Sequence, residues 1–226
     1  MNNKIILLGS EGFVGKYIQN YLSKKSWDIS GFDIKNGYDF SNELTIKNIM
    51  EKNNGYFLIN CFAIDAKVTN EFFSKTSLNL PIDDFKEILD VNVTNVFSAC
   101  RQFISTRNSG RILNISSIYG LVSPNPKLYS GSEKPIAYGV SKAAVIQLTK
   151  HFAAHFAPDF QVNCLTLGGI FSSQKKEFVE TYSSNVPMGR MGTLSEISPA
   201  IEFFLSEENS YTTGENIVVD GGWTII

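Results

Sequence analysis

The run Ile5-Ile6-Leu7-Leu8 contains no polar residue, and neither does Ile217-Val218-Val219 near the far end of the chain. A strand with one face in water alternates apolar and polar residues, whereas a strand covered on both faces reads as a short continuous apolar run. Between these two lie further strand-like runs at Trp27–Asp33, Tyr56–Ala63, Arg111–Ile115 and Gln161–Leu167. Segments of helical period separate them. One follows the turn after Leu8 and ends at about Lys24; the others are Glu43–Asn53, Asp83–Thr106, Ile136–Phe156 (closed by Pro158) and Leu194–Leu205. Strands alternating with helices at this pitch imply βαβ units, and so an α/β domain whose parallel sheet carries helices on both faces. The 226 residues suffice for one such domain with a sizeable core, and no repeat, low-complexity tract or linker marks a second.

With 20 Lys and Arg against 22 Asp and Glu, a net charge of -2, the chain carries no electrostatic footprint for nucleic acid or an anionic membrane. The apolar run before Gly9 is too short for the core of a signal peptide, and no stretch is long enough to span a membrane, so a cytoplasmic protein is expected. Cys61, Cys100 and Cys164 are scattered without metal-ligand spacing and read as buried thiols. His151 and His155 are four apart, a spacing that also suits a metal. With no carboxylate motif beside them they read as surface or partly buried histidines, and no metal site is expected.

Two features carry chemistry. Gly9-Ser10-Glu11-Gly12-Phe13-Val14-Gly15 follows the first strand and opens a helix. Glycines there permit a tight turn, close approach of a pyrophosphate to the backbone, and tight packing of helix on strand. The helix N-terminus supplies free N–H groups and a positive dipole end. Asp33 ends the second strand, eighteen residues beyond Gly15, where a carboxylate can accept both ribose hydroxyls of adenosine and repel a 2′-phosphate. With Glu11 adding negative charge and no Arg nearby, NAD is favoured over NADP. The second feature is Tyr138-Gly139-Val140-Ser141-Lys142, preceded by Ser116-Ser117. Residues four apart share a helix face, so Tyr138 and Lys142 project side by side. A phenol titrates near 10 and a neighbouring ammonium brings it toward the working range. Such a pair moves a proton on and off an alcohol or carbonyl oxygen without a metal. Alone, the spacing is that of an ordinary helix surface.

Together these residues resemble a short-chain dehydrogenase/reductase of the single-domain branch, over essentially the whole chain. Asp39-Phe40 resembles the family's adenine-contacting Asp-Val pair. Asn60-Cys61-Phe62-Ala63 sits where the family has Asn-Asn-Ala-Gly, Asn92 matches its helix asparagine, and Asn114-Ile115-Ser116-Ser117 its serine strand. Pro187–Gly192 and Thr213–Trp223 match its C-terminal part. The resemblance implies a three-layer Rossmann fold, a doubly wound parallel sheet in a single domain spanning 1–226. It implies an NAD(H)-dependent oxidoreductase interconverting a secondary alcohol and a ketone. Tyr138 is then the general acid/base, Lys142 lowers its pKa and holds the nicotinamide ribose, Ser117 bonds the substrate oxygen, and Asn92 holds a relay water by distorting its helix. Gly9, Glu11, Gly12, Phe13, Val14, Gly15, Asp33, Asp39, Phe40, Asn60, Cys61, Phe62 and Ala63 are the implied adenosine and pyrophosphate residues. Gly168, Ile170 and Ser172 are expected at the nicotinamide.

The departures also carry expectations. Only five residues separate Asp33 from Asp39, so the helix that usually joins those strands is deleted. Leu167 replaces the proline of a Pro-Gly turn, which implies a looser nicotinamide loop. Ser117 and Tyr138 are farther apart than is usual, and the extra residues within Ser123–Pro135 form a substrate loop (about 118–135) in which Lys127 and Tyr129 contact the substrate. Segment 171–186 reads as a lid. A looser likeness to members linked to flagellin modification and sialic-acid-like sugar synthesis points to a sugar or sugar nucleotide in surface-glycan biosynthesis. A sugar-nucleotide epimerase or dehydratase with retained NAD, and a non-catalytic dinucleotide-binding protein, remain as alternatives. A homodimer or homotetramer is the family expectation, through the two long helices and the apolar C-terminus.

Overall fold

The computed structural model describes residues 3–65, 76–129 and 133–226. Along these run β1 (Lys4–Leu8), α1 (Phe13–Ser23), β2 (Asp28–Phe32), α2 (Glu43–Lys52), β3 (Phe57–Asn60), α3 (Ile82–Leu89) and α4 (Asn95–Ser105). They continue with β4 (Gly110–Ser117), α5 (Ile136–Phe156), β5 (Phe160–Leu167), α6 (Lys176–Ser183), α7 (Ser198–Leu205) and β6 (Asn216–Val219). The six strands form one parallel sheet in the order β2-β1-β3-β4-β5-β6. This is the doubly wound α/β arrangement expected from the alternating pattern.

The apolar run of β1 shows why both faces are covered. Ile6 and Leu8 pack with Ile46 of α2, Val96 of α4 and Val145 of α5. Ile5 and Leu7 point the other way, onto Ile18 of α1 and Ile201 of α7. Each such side chain, taken fully out of water, contributes roughly 1.5–3 kcal/mol. The chain leaves β1 toward β2 on one side and resumes at β3 on the other. That reversal opens a crevice at the C-terminal ends of β1 and β3, where this class of sheet binds ligands.

Several expectations change. β6 was expected to be buried on both faces, but it is an edge strand and Val218 is 37% exposed. The deletion after Asp33 removes a strand as well as a helix. The chain makes a 3-10 turn at Ile34–Asn36, passes Asp39-Phe40 as irregular backbone and enters α2, leaving β2 at the other edge among the described residues. The expected helix Asp83–Thr106 is two helices joined by a π-turn at Asp90–Thr94, which contains Asn92. Leu194–Leu205 begins as a 3-10 turn, Leu194–Ile197, before α7. Segment 171–186, expected to be a flexible lid, contains α6, whose Tyr182 is buried.

A chain of side-chain amides crosses the sheet. Asn60 of β3 donates to Asn114 Oδ1 of β4 at 2.8 Å, Asn114 donates to Thr149 Oγ1 of α5 at 2.9 Å, and Thr149 donates to the Val145 carbonyl at 2.9 Å. Asn114 is fully buried, so removing its amide strands two partners without water. Asn114→Ala is expected to lower the unfolding free energy by about 2–4 kcal/mol in urea titrations. A loss below about 1 kcal/mol would show that this chain does not hold the sheet to α5.

Candidate active site

The turn after β1 is shaped by contacts that only glycine permits. Gly9 has a φ of +89°, and its N–H donates to the Phe32 carbonyl at 2.7 Å. A Cβ at Gly15 would lie 2.0 Å from the Gly9 carbonyl oxygen, so α1 packs directly on the turn. Gly12 is the N-cap of α1 and offers no side-chain acceptor, which leaves the first N–H groups of the helix for an anion. Asp33 closes the turn from β2. Its carboxylate accepts the Glu11 N–H at 3.2 Å and the Lys35 N–H at 3.0 Å. The Glu11 side chain turns outward to Lys16 at 3.0 Å.

Two cavities lie along the crevice. One, of about 710 Å3, is lined by Gly9, Gly12, Asp33, Asp39, Phe40, Cys61, Phe62 and Ala63 among others. The other, of about 690 Å3, holds Phe13, Val14, Ser117, Tyr129, Tyr138, Lys142, Gly168, Ile170 and Ser172. Gly12, Lys35, Cys61, Ala63 and Ile64 line both, so the two form one continuous cleft from Asp33 to Tyr138. Phe62, in place of a smaller residue, packs on Phe40 with ring centroids 4.8 Å apart and forms the floor of the first cavity.

At the second cavity, α5 presents Tyr138 and Lys142 toward Ser117 at the end of β4. Burial pushes the Tyr138 phenol up and the Asp65 carboxylate pushes it further, while the Ser117 hydroxyl bonded to it pulls it down. Lys142 Nζ lies 5.7 Å from the Tyr138 ring centroid and donates to the Ile115 carbonyl at 3.0 Å. Burial lowers Lys142, and nearby Cys61 and Asp65 oppose that. In the protein by itself burial therefore dominates the phenol, in place of the lowering by Lys142 that the spacing suggested. Ser116 is structural, donating to the Lys142 carbonyl at 2.9 Å.

Other expected site residues lie elsewhere. Asn60 faces the sheet interior and lines neither cavity. Asn92 is buried in the π-turn; its amide accepts the Ile64 N–H at 2.7 Å and donates to the Ile64 carbonyl at 3.1 Å and to Ser141 Oγ at 3.0 Å. Lys127 is exposed on a 3-10 turn and lines neither cavity. Tyr129 does reach the cleft, its hydroxyl 2.6 Å from that of Tyr119. Residues 130–132 of the expected substrate loop lie outside the described residues. The nicotinamide loop, expected to be loose, is pinned: Gly168 N–H donates to Val219 at 2.9 Å and Gly169 N–H to Tyr182 Oη at 2.7 Å. Tyr182 in turn stacks on Trp223, centroids 4.6 Å apart. Beyond Ile170, the Gln174 amide accepts from the Ser172 N–H at 2.7 Å and donates to the Ile170 carbonyl at 3.0 Å.

Sequence reasoning missed Asp65, Lys134, Gln174 and Tyr182. Lys134 lies just before the Pro135 cap of α5, outside the helix, so no helical spacing flags it. Among the described residues, no cluster of His, Cys, Asp and Glu could hold a metal, and no helix is long and apolar enough to cross a membrane.

A doubly wound sheet with a glycine turn at its switch point and a Ser, Tyr and Lys set one cavity away defines a dinucleotide-dependent oxidoreductase class. The family model described as enoyl-(acyl carrier protein) reductase matches residues 38–224. A tropinone reductase homolog from Arabidopsis thaliana is 34% identical over 67% of this chain and 58% of its own length. A galactitol 2-dehydrogenase (L-tagatose-forming) from Cereibacter sphaeroides is 35% identical over 65% of this chain and 60% of its own. The chain thus spans about three fifths of the length of these relatives. The structure of a 4-hydroxyisoleucine dehydrogenase complexed with NADH superposes with a TM-score of 0.81 at 29% identity, covering 98% of this chain and 99% of that one. The chain belongs to the short-chain dehydrogenase/reductase family, whose members bind a nicotinamide dinucleotide.

The phenol's neighbours make opposite demands on its titration. For a tyrosine acting as base, activity rises with pH as the phenol ionises. Asp65→Asn removes a carboxylate that raises the phenol, so the rise in kcat/KM for alcohol oxidation should move to lower pH. Ser117→Ala removes a bond that lowers it, so the rise should move to higher pH. Profiles that move together, or stay put, would mean another group sets the pH dependence.

Proposed function

We propose that this protein is an NAD(H)-dependent dehydrogenase that interconverts a secondary alcohol and a ketone. The observation that carries the reading is the continuous cleft with Asp33 at one end and the Ser117, Tyr138 and Lys142 side chains at the other. The residues present fit a nicotinamide dinucleotide. Gly12 and the N-terminus of α1 would hold the pyrophosphate, Asp33 the adenosine ribose, and Lys142 the other ribose. The carbonyl of Ile170 and N–H of Ser172, now bonded to the side-chain amide of Gln174, form a donor and acceptor pair suited to a carboxamide. When bound, the dinucleotide supplies a hydride acceptor or donor.

The chain's own residues manage the substrate oxygen. In oxidation the Tyr138 phenolate takes the hydroxyl proton, and in reduction the phenol returns it. Ser117 donates to the same oxygen as its charge develops. Lys142, its Nζ 5.7 Å from the Tyr138 ring centroid, would hold the ribose next to the nicotinamide beside the phenol. Tyr119, Tyr129 and Lys134 on one side and Phe178 and Tyr182 on the other would wall the substrate end. Asp33 favours NAD over NADP, because its carboxylate matches ribose hydroxyls and opposes a 2′-phosphate. A sugar or sugar derivative is the proposed substrate, in keeping with a relative named for galactitol. Self-association as a homodimer or homotetramer is part of the reading, with Phe97 of α4 (41% exposed) and Phe156 of α5 (37% exposed) on the outer face. Sedimentation velocity should then show a dimer or tetramer, and a purely monomeric protein would contradict it.

Titration of nicotinamide fluorescence tests the cofactor end. NADH should bind at least about tenfold more tightly than NADPH, and Asp33→Ala should remove that preference. Tyr138→Phe should leave NADH binding in place and lower turnover by about 100- to 10,000-fold. Absence of binding to either dinucleotide would favour a non-catalytic role instead.

A further inference from the structure

The segment before α5 brings a second ammonium to the phenol. Lys134 stands four residues before Tyr138, as Lys142 stands four after it, and its Nζ lies 4.5 Å from the Tyr138 ring centroid. It donates to the Asp65 carbonyl at 3.0 Å and to Asp65 Oδ1 at 2.7 Å. The two partners are unequal: the Lys134 side chain is 10% exposed and that of Asp65 45%. Asp65 can turn out to water. Lys134 cannot lose an anion without leaving a nearly buried charge unpaired, which is costly. Neither proton transfer at Tyr138 nor hydride transfer between the substrate carbon and the dinucleotide needs a bond from Lys134.

The charge of the cleft points the same way. Among the described residues lining the catalytic cavity, Lys35, Lys134 and Lys142 face a single carboxylate, Asp65. A chain of net charge -2 thus carries an excess of positive charge in the cavity where the proposed cofactor and substrate would meet. Lys142 is turned to the Ile115 carbonyl, and Lys35 lies at the junction with the first cavity. Lys134 is the cation over the Tyr138 ring, and its carboxylate partner is half-exposed.

We infer that Lys134 anchors an anionic substituent of the substrate, a carboxylate or phosphate near the reacting carbon, which replaces the Asp65 carboxylate on its ammonium. This rests on the dehydrogenase reading and narrows its substrate class to hydroxy acids or phosphorylated alcohols, sugar acids and sugar phosphates included. The anion makes and breaks no bond. In the oxidation the carbinol C–H bond gives hydride to the dinucleotide, the O–H proton goes to Tyr138, and the carbon becomes a ketone. Lys134 is a specificity-determining residue, and Asp65 is the counter-ion that keeps its charge paired when no substrate is bound.

The test uses matched pairs of secondary alcohols with NAD: hydroxy acids against their methyl esters, and sugar alcohol phosphates against the free sugar alcohols. The wild type should prefer one anionic series by about 10- to 100-fold in kcat/KM, mainly through KM. The preferred series separates carboxylate from phosphate. Lys134→Met should abolish the preference and Lys134→Arg should restore most of it. Equal use of anionic and neutral partners by the wild type, or a preference that survives Lys134→Met, would overturn the inference. If the wild type oxidises no alcohol although NADH binds, the dehydrogenase reading fails by itself. Thermal shifts with succinate and with inorganic phosphate then decide Lys134 separately. A rise in Tm for wild type and Lys134→Arg but not Lys134→Met supports the anion site, and no rise in the wild type contradicts it.

Discussion

The site depends on one buried amide. Asn92 bonds both the N–H and the carbonyl of Ile64 and donates to Ser141 Oγ. Ile64 belongs to the segment leaving β3 and precedes Asp65; Ser141 precedes Lys142 on α5. One side chain therefore ties the segment after β3 to α5, the helix that carries Tyr138 and Lys142. A regular helix would carry residue 92 past this position, and the π-turn at Asp90–Thr94 is the local distortion that aims it. Such turns are rare and collect at functional sites. The geometry makes Asn92 a positioning residue as well as the expected holder of a relay water.

Around that brace the chemistry is a contest between burial and charge. The phenol of Tyr138 lies at the cleft with one carboxylate and two ammonium groups near its ring. Desolvation holds it neutral, and Ser117 is the one named neighbour that works against this. A tyrosine in this state carries its proton and holds it tightly. To take one, it needs the local balance shifted by what binds in the cleft. The Asp65 carboxylate enters the same balance by raising the phenol.

What the sequence disclosed follows from how local each signal is. Helix α5 was legible at both ends because its apolar positions run between Pro135 and Pro158. β1 was legible because a strand buried on both faces cannot hide its composition. Helix α6 was missed: Lys176–Ser183 is mostly polar, and only Phe178, Val179 and Tyr182 face the cleft-side cluster. The π-turn left no trace in the apolar pattern, since Val91-Asn92-Val93 continues a helical one, and the distortion at Asn92 was expected only from the family resemblance. The loss of a whole strand beyond Asp33 was read as the loss of a helix, because Asp39-Phe40 keeps the residues of a strand end without the pairing. Tyr138, Lys142, Ser117 and Asp33 could be named from motifs. The Asp65–Lys134 pair could not, because its partners are distant in sequence and each alone is an ordinary charged residue. Gln174 was equally silent, since its role arises only from where the loop after Ile170 places it.

The most direct test is a crystal structure of the protein with NAD. The account predicts adenine against Phe40 and Phe62, ribose hydroxyls on Asp33, and the nicotinamide carboxamide on Ile170 and Ser172, with the Gln174 amide displaced from both. Tyr138 would then stand beside the nicotinamide ring with Ser117 across from it. A dinucleotide bound away from this cleft, or one that leaves Gln174 bonded to Ile170 and Ser172 with the nicotinamide in solvent, would contradict it.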